Sequence, residues 1–213
     1  MGRKKGSLIV ISGFSGAGKG TIVKKLVSEY DNYELSVSMT TREPRPGEIN
    51  GVHYHFSTDE EFERIIAANG MLEYAGYCGH YYGTPRAFVE QKLAEGKDVI
   101  LEIEIQGAQK VRRQFPDAIL LFVMAPSAKV LHQRLTGRGT ETEDVIRKRM
   151  WRAVDESEEI DAYDYVVVND DLEECVRLVN GIVEAAHARP SQNEDFIDQI
   201  RQELKDILKG EQQ

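Results

Sequence analysis

Leu8-Ile9-Val10-Ile11-Ser12-Gly13-Phe14-Ser15-Gly16-Ala17-Gly18-Lys19-Gly20-Thr21 decides the fold of this chain. A short apolar run runs into a glycine-rich turn that ends in a lysine. Ile22, Val23, Leu26 and Val27 then recur at helical spacing, with Lys24, Lys25 and Glu29 on the polar side. Strand, glycine loop and helix start, in that order, are what a phosphate cradle needs. The glycines let backbone N–H groups turn inward, the helix N-terminus adds positive potential, and Lys19 supplies a mobile charge. A glycine turn that binds nothing would need neither the preceding strand nor the lysine. The stretch therefore implies a nucleotide held by its phosphates. Gly20 stands where Ser or Thr usually follows the lysine, so Thr21 is the available hydroxyl on the metal side.

Strands and helices alternate outward from this stretch. Leu8–Ser12, Asp98–Glu102, Ala118–Met124 and Tyr165–Val168 read as strands. Residues 21–30, 108–115, 128–135 and 172–187 read as helices. Ser127 and Asp171 are expected N-caps, the latter paired with Glu174 in a capping box. Such alternation implies an α/β domain with a mainly parallel sheet flanked by helices, and a site at the carboxyl ends of the strands. Residues 36–93 break the pattern with Tyr- and Gly-rich segments and a helix opened by Thr58 and Glu61, which implies an inserted subdomain. Residues 134–156 carry Arg134, Arg138, Arg147, Lys148, Arg149 and Arg152, with Gly137 and Gly139 flanking Arg138. A mobile arginine-rich segment suits a lid over a transferring phosphoryl group; the plain alternative is a solvated basic helix. Thr140 and Glu143 are expected to cap its helix.

The 213 residues suffice for one domain with a substantial core. The formal charge of −9 argues against a nucleic-acid-coating role. Cys78 and Cys175 make no Cys-x-x-Cys motif, so neither a disulfide nor a structural zinc is expected, and a reducing compartment is. No apolar run nears the roughly 20 residues of a membrane span. Leu8–Ile11 is too short for a signal-peptide core, and Gly6 occupies the Ser/Thr position of a myristoylation motif. Cytoplasm is the expected compartment.

Three further clusters carry chemistry. In Thr41-Arg42-Glu43-Pro44-Arg45-Pro46-Gly47-Glu48, two prolines stiffen a loop bearing paired guanidinium groups that suit a phosphate. Ion pairs to Glu43 and Glu48 are the alternative use. Tyr54 and Tyr82 could add hydroxyl donors. Glu73 interrupts the apolar segment Met71-Leu72-Glu73-Tyr74-Ala75; a carboxylate there would match the adjacent N–H and NH₂ of guanine and reject adenine. In Val99–Gly107, four apolar residues lead to Glu102, and strand alternation would put Glu102 and Glu104 on one face, toward a polar site.

Together these clusters resemble the guanylate kinase family, which transfers a phosphoryl group from ATP to GMP. The resemblance rests on Gly13–Thr21, Ser36–Gly51 with its Thr-Thr-Arg-Glu-Pro-Arg-Pro-Gly-Glu run, Tyr81-Tyr82-Gly83, Gln106-Gly107, Gly137–Thr140 and Val168–Asp171, in family order across residues 6–187. It implies that Gly13, Phe14, Ser15, Gly16, Ala17, Gly18, Lys19, Gly20 and Thr21 bind ATP, with Asn169 near the adenine. It implies that Arg42, Arg45, Tyr54 and Tyr82 hold the GMP phosphate, and that Ser38, Glu73 and Glu104 read the guanine. Lys19, Arg42, Arg134, Arg138 and Arg149 would stabilise the transferring group, and Mg²⁺ would sit by Thr21 and Glu102 through water. Where the family has Asp-x-Asp before Gln-Gly, this chain has Glu102-x-Glu104, each longer by about 1.5 Å. The implied partners are ATP and GMP, with no nucleic acid and no membrane, in a monomer or homodimer. The rival reading is an inactive, protein-binding guanylate-kinase-like module, against which the intact loop and arginine lid count. Beyond Pro190, Phe196, Ile197, Ile200, Leu204, Ile207 and Leu208 recur at helical spacing, marking residues 188–213 as a helical tail.

Overall fold

The computed structural model describes residues 5–77, 79–137 and 142–210. Its centre is a five-stranded parallel sheet of β1 (Leu8–Gly13), β2 (Tyr33–Leu35), β7 (Asp98–Glu102), β8 (Ile119–Met124) and β9 (Tyr165–Val168), in the order β2-β7-β1-β8-β9. The intervening strands β3 to β6 belong to a second sheet. The strand order reverses at β1, whose neighbours β7 and β8 both come later in the chain. That switch point opens a crevice beyond the carboxyl ends of β1 and β7.

Alternation along β1 feeds both faces. Ile9 and Ile11 pack toward α1 (Lys19–Glu29) and α7 (Leu172–Ala186), meeting Ile22, Leu26, Val176, Val179 and Val183. Leu8 and Val10 face the other way, toward Val89 and Leu93 of α3 (Arg86–Ala94) and Ala108 and Val111 of α4 (Ile105–Gln114). A sheet sealed on both faces explains why its strands read as nearly continuous apolar runs. Phe14, in the loop itself, meets Phe122 edge-on at 5.0 Å between ring centres, anchoring the glycine turn to the core.

The second sheet, of order β4-β3-β6-β5, is built from β3 (Met39–Thr40), β4 (His55–Phe56), β5 (Met71–Tyr77) and β6 (His80–Pro85). It carries α2 (Asp59–Ala67), whose Thr58 accepts from Glu61 N–H as expected. Ser127 caps α5 (Ala128–Thr136) and Asp171 caps α7, also as expected. One local expectation fails. β7 ends at Glu102, so Glu104 is not on the strand; it is the residue preceding α4, which begins three residues earlier than the periodicity suggests. Isolated β-type alternation could not register the turn. α6 (Glu143–Ser157) is preceded by Thr142, which makes no side-chain cap, while Thr140 and Arg138 lie outside the described residues.

Candidate active site

The glycine loop is held in a conformation that its composition permits. Gly13, Gly16 and Gly18 have φ of 147°, 88° and 95°. At Gly18 an added Cβ would also stand 2.3 Å from Asn169 Nδ2, so side chain and backbone both demand glycine. Lys19 folds back over the loop: its Nζ donates to the carbonyls of Gly13 at 2.6 Å and Phe14 at 3.3 Å. Burial lowers its pKa, and Glu102, Glu104 and Glu156 oppose that effect.

Across the crevice, Glu102 ends β7. An added Cβ on Gly20 would lie 3.6 Å from Glu102 Oε2, so the longer carboxylate reaches the space above the position where Ser or Thr is usual. Glu102 keeps an open face to the cleft, yet the surrounding walls raise its carboxyl pKa, with Lys19 as the main counterweight. Glu104 pairs with Arg152 Nη2 at 2.7 Å, and Arg152 Nε also donates to Glu156 at 2.8 Å. Arg149, three residues before Arg152 on α6, donates to Ser15 Oγ of the loop. The loop and the second sheet thus share a cleft of about 510 Å³ lined by Lys19, Ser38, Arg42, Glu73, Tyr82 and Glu102, among others.

On the second-sheet side, Arg42 Nη2 donates to Glu48 at 2.9 Å, and its guanidinium sits over Tyr54 at 5.5 Å. Glu48 also accepts from the Arg45 N–H at 2.7 Å, and these two bonds hold its pKa down at about 2. The alternative use of the arginine loop, ion pairing with Glu48, is therefore present alongside its position in the cleft. Tyr54 and Tyr82 meet edge-on at 6.0 Å, and burial raises the Tyr54 pKa.

Glu73 is 7% exposed, and its Oε1 accepts from Thr84 Oγ1 at 2.8 Å. Its other oxygen lies 2.8 Å from where a Cβ on Gly107 would be, so glycine there leaves room beside the carboxylate. Burial raises the Glu73 pKa, partly offset by Thr84 and Lys110.

The cleft therefore brings together Lys19, Ser38, Arg42, Arg45, Tyr54, Glu73, Tyr82, Glu102 and Glu104. Two expected contacts are placed differently. Arg134 donates to the carbonyls of Asn169 and Ala17 at 2.8 and 3.4 Å. Asn169 is buried and donates to the Ala17 carbonyl at 2.8 Å. Both brace the back of the loop. Sequence reasoning missed Thr84 and Glu156 as site neighbours, and named Arg152 only as a member of the arginine-rich segment. Thr84 was findable: it follows Tyr82 by two residues on one strand and pairs in register with Glu73.

A family model described as guanylate kinase matches residues 5–186. The chain belongs to the guanylate kinase family. It is 47% identical over 201 residues to the guanylate kinase of Caldanaerobacter subterraneus subsp. tengcongensis, covering 94% of this chain and 98% of that one. It is 50% identical over 188 residues to the guanylate kinase of Bacillus subtilis, covering 88% and 92%. The crystal structure of guanylate kinase from Anaplasma phagocytophilum superposes with a TM-score of 0.73 at 31% identity, covering 89% and 90%. The likeness spans this guanylate kinase family member nearly end to end. No helix among the described residues is long and apolar enough to cross a membrane.

Proposed function

We propose that this chain transfers the γ-phosphoryl group of ATP to GMP, giving ADP and GDP. The observation that carries this reading is Glu73, a buried carboxylate with Thr84 on one oxygen and open space beside Gly107 on the other. Such a group accepts from the N1–H and N2–H of guanine and rejects adenine. Ser38 and Glu104 flank it in the same cleft, and Arg42, Arg45, Tyr54 and Tyr82 offer charge and donors for the GMP phosphate. A GMP phosphate oxygen then attacks the γ-phosphorus in line. A new O–P bond forms as the bond to the β–γ bridging oxygen breaks and ADP leaves. No protein nucleophile is needed, so the protein contributes positioning and charge neutralisation.

Gly13–Thr21 would cradle the ATP phosphates, with Lys19 leaving the Gly13 and Phe14 carbonyls to meet them. Arg149 stands beside the loop at Ser15 and would act on the transferring group, as would Arg138, which lies outside the described residues. Arg134 and Asn169 would shape the adenine side through their grip on Ala17. The Thr21 hydroxyl and the Glu102 carboxylate are hard oxygen donors that fit Mg²⁺, Glu102 through water. When bound, Mg²⁺ would supply charge neutralisation at the β- and γ-phosphates. The proposed setting is the cytoplasm. A coupled ADP-release assay with GMP, AMP, CMP and UMP tests the reading: turnover with GMP alone is expected, and equal turnover with AMP, or none with any acceptor, would overturn it.

A further inference from the structure

β5 is an outer strand of the second sheet, and α4, which flanks the central sheet, lies against it. Leu72 shares an apolar cluster with Ala108 and Val111 of that helix. The carbonyls on either side of Glu73 are both caught from α4. Gln114 Nε2 donates to the Leu72 carbonyl at 2.7 Å, and Lys110 Nζ donates to the Tyr74 carbonyl. Lys110 also stands over the Tyr74 ring, 5.0 Å from its centre. Residues 107, 110 and 114 recur at steps of three and four, so they share one side of α4. Gly107 leaves room for the Glu73 carboxylate, and Lys110, one turn on, brings a cation to the same stretch of strand. The ladder between β5 and β6 shifts register between Met71 and Glu73. Such a ladder specifies an edge strand less firmly than a regular one, which leaves the two clips from α4 to decide where Glu73 sits.

We propose that Lys110 is a positioning residue for guanine recognition, fixing the place of the Glu73 carboxylate and favouring its charged form. This role rests on Glu73 being the guanine acceptor. A carboxylate must be ionised to accept from both N1–H and N2–H of guanine. Burial works against that ionisation. Thr84 on β6 opposes burial with its hydroxyl and its backbone N–H, and Lys110 on α4 opposes it by charge. The cleft itself is lined by charges of both signs, Lys19, Arg42 and Arg45 against Glu48, Glu102 and Glu104. His53, Tyr54 and Tyr82 complete its titratable lining. Lys110 stands outside that lining and so acts on the base through Glu73.

Steady-state ADP release by the full chain, with GMP varied at saturating ATP from pH 5 to 9, tests the role. Lys110→Met should raise the KM for GMP at pH 7 by about three- to tenfold and leave the KM for ATP within about twofold. It should also move the acid limb of kcat/KM for GMP to higher pH. Lys110→Arg keeps the cation, so its limb should stay where the parent's lies; a merely structural role would move no limb. Glu73→Gln leaves no carboxylate to titrate, so adding Lys110→Met to it should move no limb. The role of Lys110 is overturned, with the guanine reading left standing, by two results: Lys110→Met keeping the parent's limb and KM while Glu73→Gln alone weakens GMP use, or a limb that moves as far in the Glu73→Gln background. Unchanged GMP kinetics in Glu73→Gln would overturn both.

Discussion

Replacing Glu73 with Gln separates what the buried carboxylate does for substrate from what it does to the fold. The amide keeps one oxygen for Thr84, so the 2.8 Å bond survives. The second oxygen becomes an NH₂ that faces the guanine donors. Two charge-assisted hydrogen bonds are lost, each worth about 1.5–3 kcal/mol. The expected loss in kcat/KM for GMP is then about 3–5 kcal/mol, or about 10²–10⁴-fold, while the KM for ATP stays within about threefold. Stability should move the other way. Burial raises the Glu73 pKa in the folded chain, so the ionised side chain destabilises the fold above that pKa. Glu73→Gln should therefore melt higher than the parent at neutral and alkaline pH, and the difference should close as pH falls through the raised pKa. Steady-state kinetics with each substrate varied, plus thermal melts from pH 4 to 9, read both effects. A variant with unchanged GMP kinetics, or one that melts lower at pH 8, would refute the reasoning.

Lys19→Met removes the Nζ that bonds Gly13 and Phe14, and turnover should drop by at least about 10³-fold with circular dichroism unchanged; near-normal turnover would remove Lys19 from the phosphate path. Gly18→Ala forces a Cβ into a backbone with φ of 95° and onto Asn169, so it should lower stability by about 1–3 kcal/mol and raise the KM for ATP, as denaturant melts and kinetics would show. Thr84→Val deletes the donor that lowers the Glu73 pKa, so the acid limb of the pH profile for GMP kcat/KM should move to higher pH; an unmoved limb would break the Thr84–Glu73 link. Glu48, held at about pKa 2 by Arg42 and the Arg45 N–H, keeps its contribution above the ordinary carboxylate range and loses it only as pH falls through about 2, so Arg42 side-chain NMR signals should be constant from pH 5 to 8.

The glycine loop, the parallel sheet and most helices were legible because each rests on local signals: apolar runs sealed on two faces, caps at Thr58, Ser127 and Asp171, and glycines at positive φ. The Arg42/Arg45 loop and Glu73 were legible as chemistry, because charges in apolar or proline-stiffened contexts need a reason. Less legible was anything set by three-dimensional approach. Glu104 left the strand because α4 begins at Ile105, a helix start that no capping side chain announces. Arg134 and Asn169 turned to the Ala17 carbonyl because a strained loop exposes backbone acceptors that only tertiary neighbours can satisfy. The Arg152 bond to Glu104 joins residues 48 positions apart and has no periodic trace, whereas its bond to Glu156 is an i,i+4 pair on α6.

The meeting of Gly20 and Glu102 makes two distant positions interdependent. A serine at 20 would add a hydroxyl within reach of a carboxylate whose Oε2 lies 3.6 Å from the new Cβ, drawing that carboxylate into a local bond. Shortening Glu102 to Asp alone would open a gap above glycine. Either single exchange is expected to impair the site, whereas the pair together restores reach and volume. The loop is consequently not a portable module: moved into another scaffold, it would need its strand-end carboxylate to travel with it.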